Sequence, residues 1–362
     1  MISARVPSPT LMGRFTRIAL AALLVSLALT PHAFAQQELT FSLFERYIDA
    51  LRVQANIPGM SAAIVQDERV TWKAGFGYAD IERSITARPD TPYHISGLTE
   101  ALSSALLMEQ CVETAHAALD ERIQLRVTAY GESNTTMRDL LSHKSLGSGF
   151  KYDAGRYATG LTPLAEDCVG QGTPFRQALW EKVFQRCIMF DSVPAQNVDD
   201  STADDRVQFD TTELDRFTGV LRRLALPYRV SGSSATVNTS INKSVDAANG
   251  AISTVLDLAR FDSAIDGAVL LHRESMATMW SNQAGMPTGL GWFVQTYNGQ
   301  KVVWQFGNMP GAYSSLILKV PDRHLTLILL ANSDGLSAPF SLQDGDVTSS
   351  LFARTFLRLF IG

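Results

Sequence analysis

The sequence predicts an α+β protein whose antiparallel sheet is assembled from both ends of the chain, with an all-helical region inserted between the two halves. Three observations predict it. Two β-rich runs occur early, at residues 60–65 and 70–76. Four more occur late, between residues 290 and 331. The long stretch between them spaces its apolar residues as helices do. The resulting boundaries are a leader over 1–35 and one domain over 36–362, with its sheet part at 40–95 and 286–362 and its helical part at 96–285. Of 362 residues, 46% are apolar and 19% charged, with a formal net charge of −5, which excludes disordered, collagen-like and disulfide-scaffold classes. No Lys/Arg cluster is present to neutralise phosphates, so nucleic acid is not an expected partner.

Taken in order, Arg5, Arg14 and Arg17 precede an apolar run at 18–29, and Ala33-Phe34-Ala35 follows. A basic start, a short apolar core and a small-x-small exit make a secretion signal. The run falls short of the ~20 residues a membrane-spanning helix needs. Cleavage after Ala35 is therefore expected, leaving a periplasmic or secreted chain with no membrane segment, of 28 basic and 36 acidic side chains. Residues 40–55 place Phe41, Phe44, Tyr47, Ile48 and Leu51 at helical spacing, and Pro58-Gly59 ends that helix. The runs at 60–65 and 70–76 flank Gln66-Asp67-Glu68-Arg69 as a hairpin. Residues 98–119 read as a strongly apolar helix, and 130–285 stay largely helical except for an Asp-rich loop at 197–210. Strands return at 290–296, 300–306, 314–320 and 325–331, with Asn298-Gly299 as the strongest hairpin signal. An amphipathic helix over 347–360 closes the chain.

Cys111, Cys168 and Cys187 are an odd set, so one stays free or pairs between chains. Cys111 follows Ala105-Leu106-Leu107-Met108 and reads as a buried small hydrophobe. Cys168 and Cys187 bracket a helix-like segment and are the expected pair if a disulfide forms. No C-x-x-C spacing exists, and His94, His116, His143, His272 and His324 stand singly, so no metal centre or cofactor is expected.

Pro58-Gly59-Met60-Ser61-Ala62-Ala63-Ile64-Val65, Gly75-Phe76-Gly77-Tyr78-Ala79-Asp80 and Asp90-Thr91-Pro92-Tyr93-His94-Ile95 resemble the opening of the β-lactamase-related serine hydrolases. That family includes class C β-lactamases, D-Ala-D-Ala carboxypeptidases and esterases. Residues 137–145 (MRDLLSHKS) are similar to its RxLLSHTSG segment. Residues 247–261 are similar to its AxGGLxSTaxDLARF helix. Gly289-Leu290-Gly291-Trp292 and Ala331-Asn332-Ser333-Asp334-Gly335 match its closing strands. The resemblance implies a β-lactamase/penicillin-binding-protein-like fold over residues 45–335 with a site in its cleft, whereas chemistry has to be argued from the site itself.

The family's chemistry needs a Ser opening a buried helix and a Lys one turn later, so that the amine takes the hydroxyl proton. Aligned without a gap on Ile95-Ser96-Gly97-Leu98-Thr99-Glu100, these positions are Gly97, which has no side-chain oxygen, and Glu100, which has the opposite charge. The second motif, Tyr-x-Asn, falls on Tyr152 and Ala154, keeping the phenol and losing the amide. The third, Lys/His-x-Gly, falls on Gln305 and Gly307. Backbone N–H groups of Gly97 and Asn308 remain as the resemblance's oxyanion donors. Gly97, Tyr152, Gln305 and Asn308 are the candidate ligand-binding positions.

Each of these residues also has a plainer reading. Glu100 reads either as a solvated first-turn carboxylate suited to the helix dipole or as a buried functional group. Tyr152 reads as a site phenol or a packed aromatic, and Gln305 as a ligand contact or a partner for a neighbouring strand or loop. Ser96 is the fallback nucleophile, turned ~100° around the helix from Gly97. The literal Ser-x-x-Lys strings at 148–151 and 240–243 open no apolar helix. Two functions follow. The first is an inactive relative whose cleft binds a cell-wall fragment, another small ligand or a protein. The second is an active esterase, peptidase or β-lactamase using Ser96 with Tyr152 as base. Simultaneous change at Gly97, Glu100, Ala154 and Gln305 favours the first.

Overall fold

The computed structural model describes residues 36–362 except 148, 171, 199–202 and 284; the expected leader lies outside them, as does Ser148 of one Ser-x-x-Lys string. The chain divides into two compact units, residues 1–47 and 48–362. Of the first, residues 36–47 are described and helical, and helix α1 covers 36–54. The sheet and the site lie within residues 48–362.

Chain direction reverses at Asp67 and Glu68, both with positive φ, and this forms the hairpin of β1 (Gly59–Gln66) and β2 (Arg69–Asp80). β3 (Ile85–Thr86) adds an edge to β2. The other half comes from β8 (Phe293–Tyr297), β9 (Gln300–Met309), β10 (Tyr313–Val320) and β11 (Leu325–Ala331). Together they make a seven-stranded sheet in the order β3-β2-β1-β11-β10-β9-β8. The two halves of the chain meet where Met60 pairs with Ala331 and Ala331 with Ser314. β10 and β11 are buried throughout, which explains their near-continuous apolar runs. Helix α8 (Val255–Asp266) packs on β1 and β11. Its Asp262 and Asp266 accept hydrogen bonds from the buried Lys319 Nζ of β10 at 2.8 and 2.7 Å.

Several elements differ from the sequence reading. β8 begins at Phe293 because Gly291 takes φ +72° in the preceding turn. The Asn298-Gly299 hairpin has φ +46° and +76°, the paired positive values a type I′ turn needs. The Asp-rich stretch is not wholly loop, since it holds helix α6 (Ala203–Gln208), whose Asp204 and Asp205 lie in the dipole-favoured first turn. A hairpin of β5 (Tyr228–Ser231) and β6 (Ser234–Val237) interrupts the helical region. The last helix, α10 (Leu351–Phe360), starts later than expected because Ser350 caps it after a 3-10 turn over Val347–Ser349.

The expected Cys168–Cys187 pairing is also corrected. Cys111 and Cys168, with Cα atoms 5.2 Å apart, form the disulfide. Cys187 is free and buried, and burial pushes its thiol up to about 12. The bond joins the turn Met108–Glu113, which continues helix α2 (Thr99–Leu107), to helix α4 (Ala154–Val169).

Candidate functional site

Two short strands deliver the chain to the site. β4 (Tyr93–His94) pairs with β7 (Ile252–Ser253), and the Ile95 N–H donates to Ala251 O at 2.9 Å. A 3-10 turn over Ser96–Leu98 then leads into α2, every residue of which is buried. A helix surrounded by protein on all sides is rigid support for whatever its first turn carries. The Ser315 hydroxyl of β10 donates to Ile95 O at 2.6 Å, tying the turn to the sheet.

The nucleophile position faces β9 at close range. A Cβ added to Gly97 would lie 2.9 Å from Phe306 O and 3.0 Å from the Tyr152 hydroxyl. Gly307 is equally enclosed, since a Cβ there would run into Ile95 O and the Ser315 hydroxyl. The strand and the turn therefore approach each other on two glycines. A side chain at position 97 would therefore require Phe306 or Tyr152 to shift by a few tenths of an ångström.

Glu100 sits one turn on, with no solvent exposure. Its solvated reading is thereby corrected. Three side chains donate to its carboxylate. The Tyr152 hydroxyl reaches Oε1 at 3.1 Å. His143 Nε2 and Gln305 Nε2 reach Oε2 at 3.0 and 3.1 Å. His143 is a donor because its Nδ1 accepts the Asp153 N–H at 3.2 Å, leaving the ring proton on Nε2. The orientation of Gln305 is fixed likewise, its Oε1 accepting from Phe306 N–H at 2.8 Å and its Nε2 also donating to Gly291 O at 3.0 Å. The two positions to which the resemblance assigns cations thus hold a carboxylate and an amide bonded to each other. Burial, and next the charge of Glu100, push the phenols of Tyr152 and Tyr157 well above their ordinary range. Both phenols stay protonated and act as donors. The Tyr157 hydroxyl reaches Glu100 O at 3.2 Å.

The structure brings Gly97, Glu100, Tyr152, Gln305 and Gly307 together. Ala154 begins α4 two residues beyond Tyr152 and supplies no polar side chain. Asn308, on β9 opposite Ser314, has its Oδ1 buried without a hydrogen-bond partner among the described residues. Ser96 takes φ +52°, and among the described residues its buried hydroxyl has no hydrogen-bond partner, Tyr152 included. The Ser96 N–H donates to His94 Nδ1 at 3.1 Å, and burial lowers the His94 imidazole to about 4. His143 and Tyr157 were not singled out from the sequence, although His143 lies inside the MRDLLSHKS segment. Among the described residues, His116, Asp167 and Cys168 bring possible metal-ligand atoms within 4.8 Å of one another, but the Cys168 sulfur is committed to the disulfide.

Comparison with known proteins agrees with this architecture. The family model described as Beta-lactamase matches residues 44–346. Unguisins hydrolase ungD of Aspergillus violaceofuscus is 28% identical over 137 residues, 35% of this chain and 24% of that protein. The mitochondrial serine beta-lactamase-like protein LACTB of Homo sapiens is 26% identical over 102 residues, 26% of this chain and 18% of that protein. The matched region therefore spans about a quarter or less of the length of these curated relatives. Among solved structures, the octameric penicillin-binding protein homologue from Pyrococcus abyssi superposes with a TM-score of 0.66 at 20% identity, over 81% of this chain and 74% of that one. The penicillin binding protein from Bacillus halodurans gives 0.65 at 16% identity, over 79% and 94%. These two likenesses concern the fold, whereas the family model spans most of the sequence, and on that ground the chain belongs to the beta-lactamase family, a family of serine hydrolases.

Proposed function

We propose that this chain is an exported member of the family that no longer forms an acyl-enzyme and uses its cleft to bind a ligand or partner. The observation that carries this reading is the pair at the head of α2: Gly97 has no hydroxyl and lies close against Phe306 O and Tyr152, and the Glu100 carboxylate already accepts from Tyr152, His143 and Gln305. Acyl transfer needs a nucleophile and a group able to take its proton. In a comparable triad, loss of the nucleophile alone costs roughly 10⁶ in rate, about 8 kcal/mol, of which an oxyanion hole recovers only a part.

A cavity of about 320 Å³ lined in part by Tyr152 supports the binding role. Phe150 and Tyr152 supply aromatic surface, while Lys151 and Asp344 supply opposite charges. That lining suits a small zwitterionic molecule, such as a cell-wall peptide fragment. Export is supported by the leader pattern of residues 1–35 and by the Cys111–Cys168 disulfide, a bond that persists in oxidising compartments.

The second reading, hydrolysis through Ser96, is favoured by the positive φ of that residue, since strained backbone clusters at active sites. Against it, no base among the described residues is bonded to the hydroxyl. Turnover of a chromogenic β-lactam and a p-nitrophenyl ester separates the two. The proposed function predicts background rates for wild type and Ser96→Ala alike, and a wild-type rate abolished in Ser96→Ala would overturn it.

A further inference from the structure

The sequence scatters its arginines, but folding gathers four of them around one cavity whose lining includes none of the residues of the α2 site. Arg83 and Arg88 flank the edge strand β3, and Arg222 and Arg223 follow helix α7 (Thr211–Leu221). All four line a cavity of about 530 Å³, in which, among the described residues, the acidic lining residues are Asp80 and Asp90. The pairing inside it is incomplete. Arg88 Nε meets Asp90 Oδ1 at 3.0 Å, while Arg83 stands 3.7 Å from Asp80 and is 80% exposed. Arg223 turns outward to Asp191 and donates to the backbone carbonyl of Asp90 at 3.0 Å. Among the described residues, Arg222 has no ion-pair partner and is exposed.

Within the lining itself arginines outnumber aspartates four to two on a chain of net charge −5, with Asp191 and Glu82 lying just outside it. Guanidinium groups held near one another repel, and a ligand carrying several negative oxygens relieves that repulsion while matching their planar donor forks. Leu221, Leu224 and Leu226 give the same cavity an apolar wall, so it accepts an organic body as well as a charged head.

We propose that this cavity is a binding site for a small organic molecule bearing a multiply charged oxyanion, separate from the degenerate cleft and independent of whether that cleft is active. The test is isothermal titration calorimetry of the purified protein with inorganic pyrophosphate and, in a second arm, citrate, in low-salt buffer. Expected is saturable one-site binding that weakens as salt is raised. The exposed double variant Arg83→Ala/Arg222→Ala, confirmed as folded by circular dichroism, should weaken it about tenfold, and Arg273→Ala on helix α9 (Arg273–Met279) should leave it unchanged. Binding of pyrophosphate alone identifies a phosphoryl ligand, and binding of both anions identifies recognition of charge by any compact oxyanion. Absence of saturable heat with either anion would overturn the proposal. So would binding that survives the double variant, or that falls equally in Arg273→Ala.

Discussion

Restoring a serine at position 97 places its Cβ 2.9 Å from Phe306 O, a backbone atom of a strand held on both sides by its neighbours. Overpacking of this kind costs about 1–3 kcal/mol, so Gly97→Ser is expected to lower the urea midpoint and still show no labelling by a fluorescent penicillin. Glu100 has the opposite sensitivity. Its truncation leaves the donors of Tyr152, His143 and Gln305 without their acceptor, at about 1–3 kcal/mol for each buried group that finds no other partner. Glu100→Ala is therefore expected to lose about 3 kcal/mol or more in chemical denaturation, a larger loss than Gly97→Ser. The identities at 97 and 100 are legible in the sequence because a helix fixes the spacing of the Ser-x-x-Lys pair, so an ungapped reading shows what stands there. The closure of β9 over Gly97 is not legible, and neither is the partner of Glu100. His143 lies 43 residues away, and a lone histidine in a helical segment carries no sign of what it touches.

At the level of elements, helix α8 carries a titration of its own. Asp257 in its first turn is buried, and burial raises its carboxyl to about 6 against hydrogen bonding from Ser192 and the charge of Arg260. Its folded pKa lies above the ordinary carboxylate value, so the folded state holds the proton more tightly. The stability this group contributes is full below about pH 4 and is lost as pH rises through about 6, by up to about 3 kcal/mol. Thermal melts of wild type and Asp257→Asn across pH 4–7 check this: the difference between the two should change across that window and level off above it. A constant difference would remove Asp257 as the titrating group. The helix itself is legible through the Asp257-Leu258-Ala259-Arg260-Phe261 string, and its long apolar face gives a periodicity to read. The β5–β6 hairpin is not, because strands of four residues are too short to display alternation and only Gly232, at φ +58°, marks the reversal.

For the whole molecule, assembly of one sheet from both ends is legible because central strands buried on both faces are predominantly apolar, as Ala62–Val65 of β1, Leu316–Leu318 of β10 and Leu327–Ala331 of β11 are. Cysteine connectivity is not, since three cysteines permit several pairings and only the fold brings Cys111 to 5.2 Å from Cys168. The proposed export makes a prediction on this scale. Protein recovered from the periplasm of an expressing bacterium should begin at Gln36 by mass, and a mature chain retaining residues 1–35 would contradict export by cleavage. The central claim, that the fold persists without acyl-transfer chemistry, is tested most directly by intact-mass analysis of folded protein incubated with a fluorescent penicillin and, separately, with a fluorophosphonate. The account predicts an unchanged mass with both reagents. A stoichiometric adduct mapped to Ser96 or to any other serine of the cleft would contradict it.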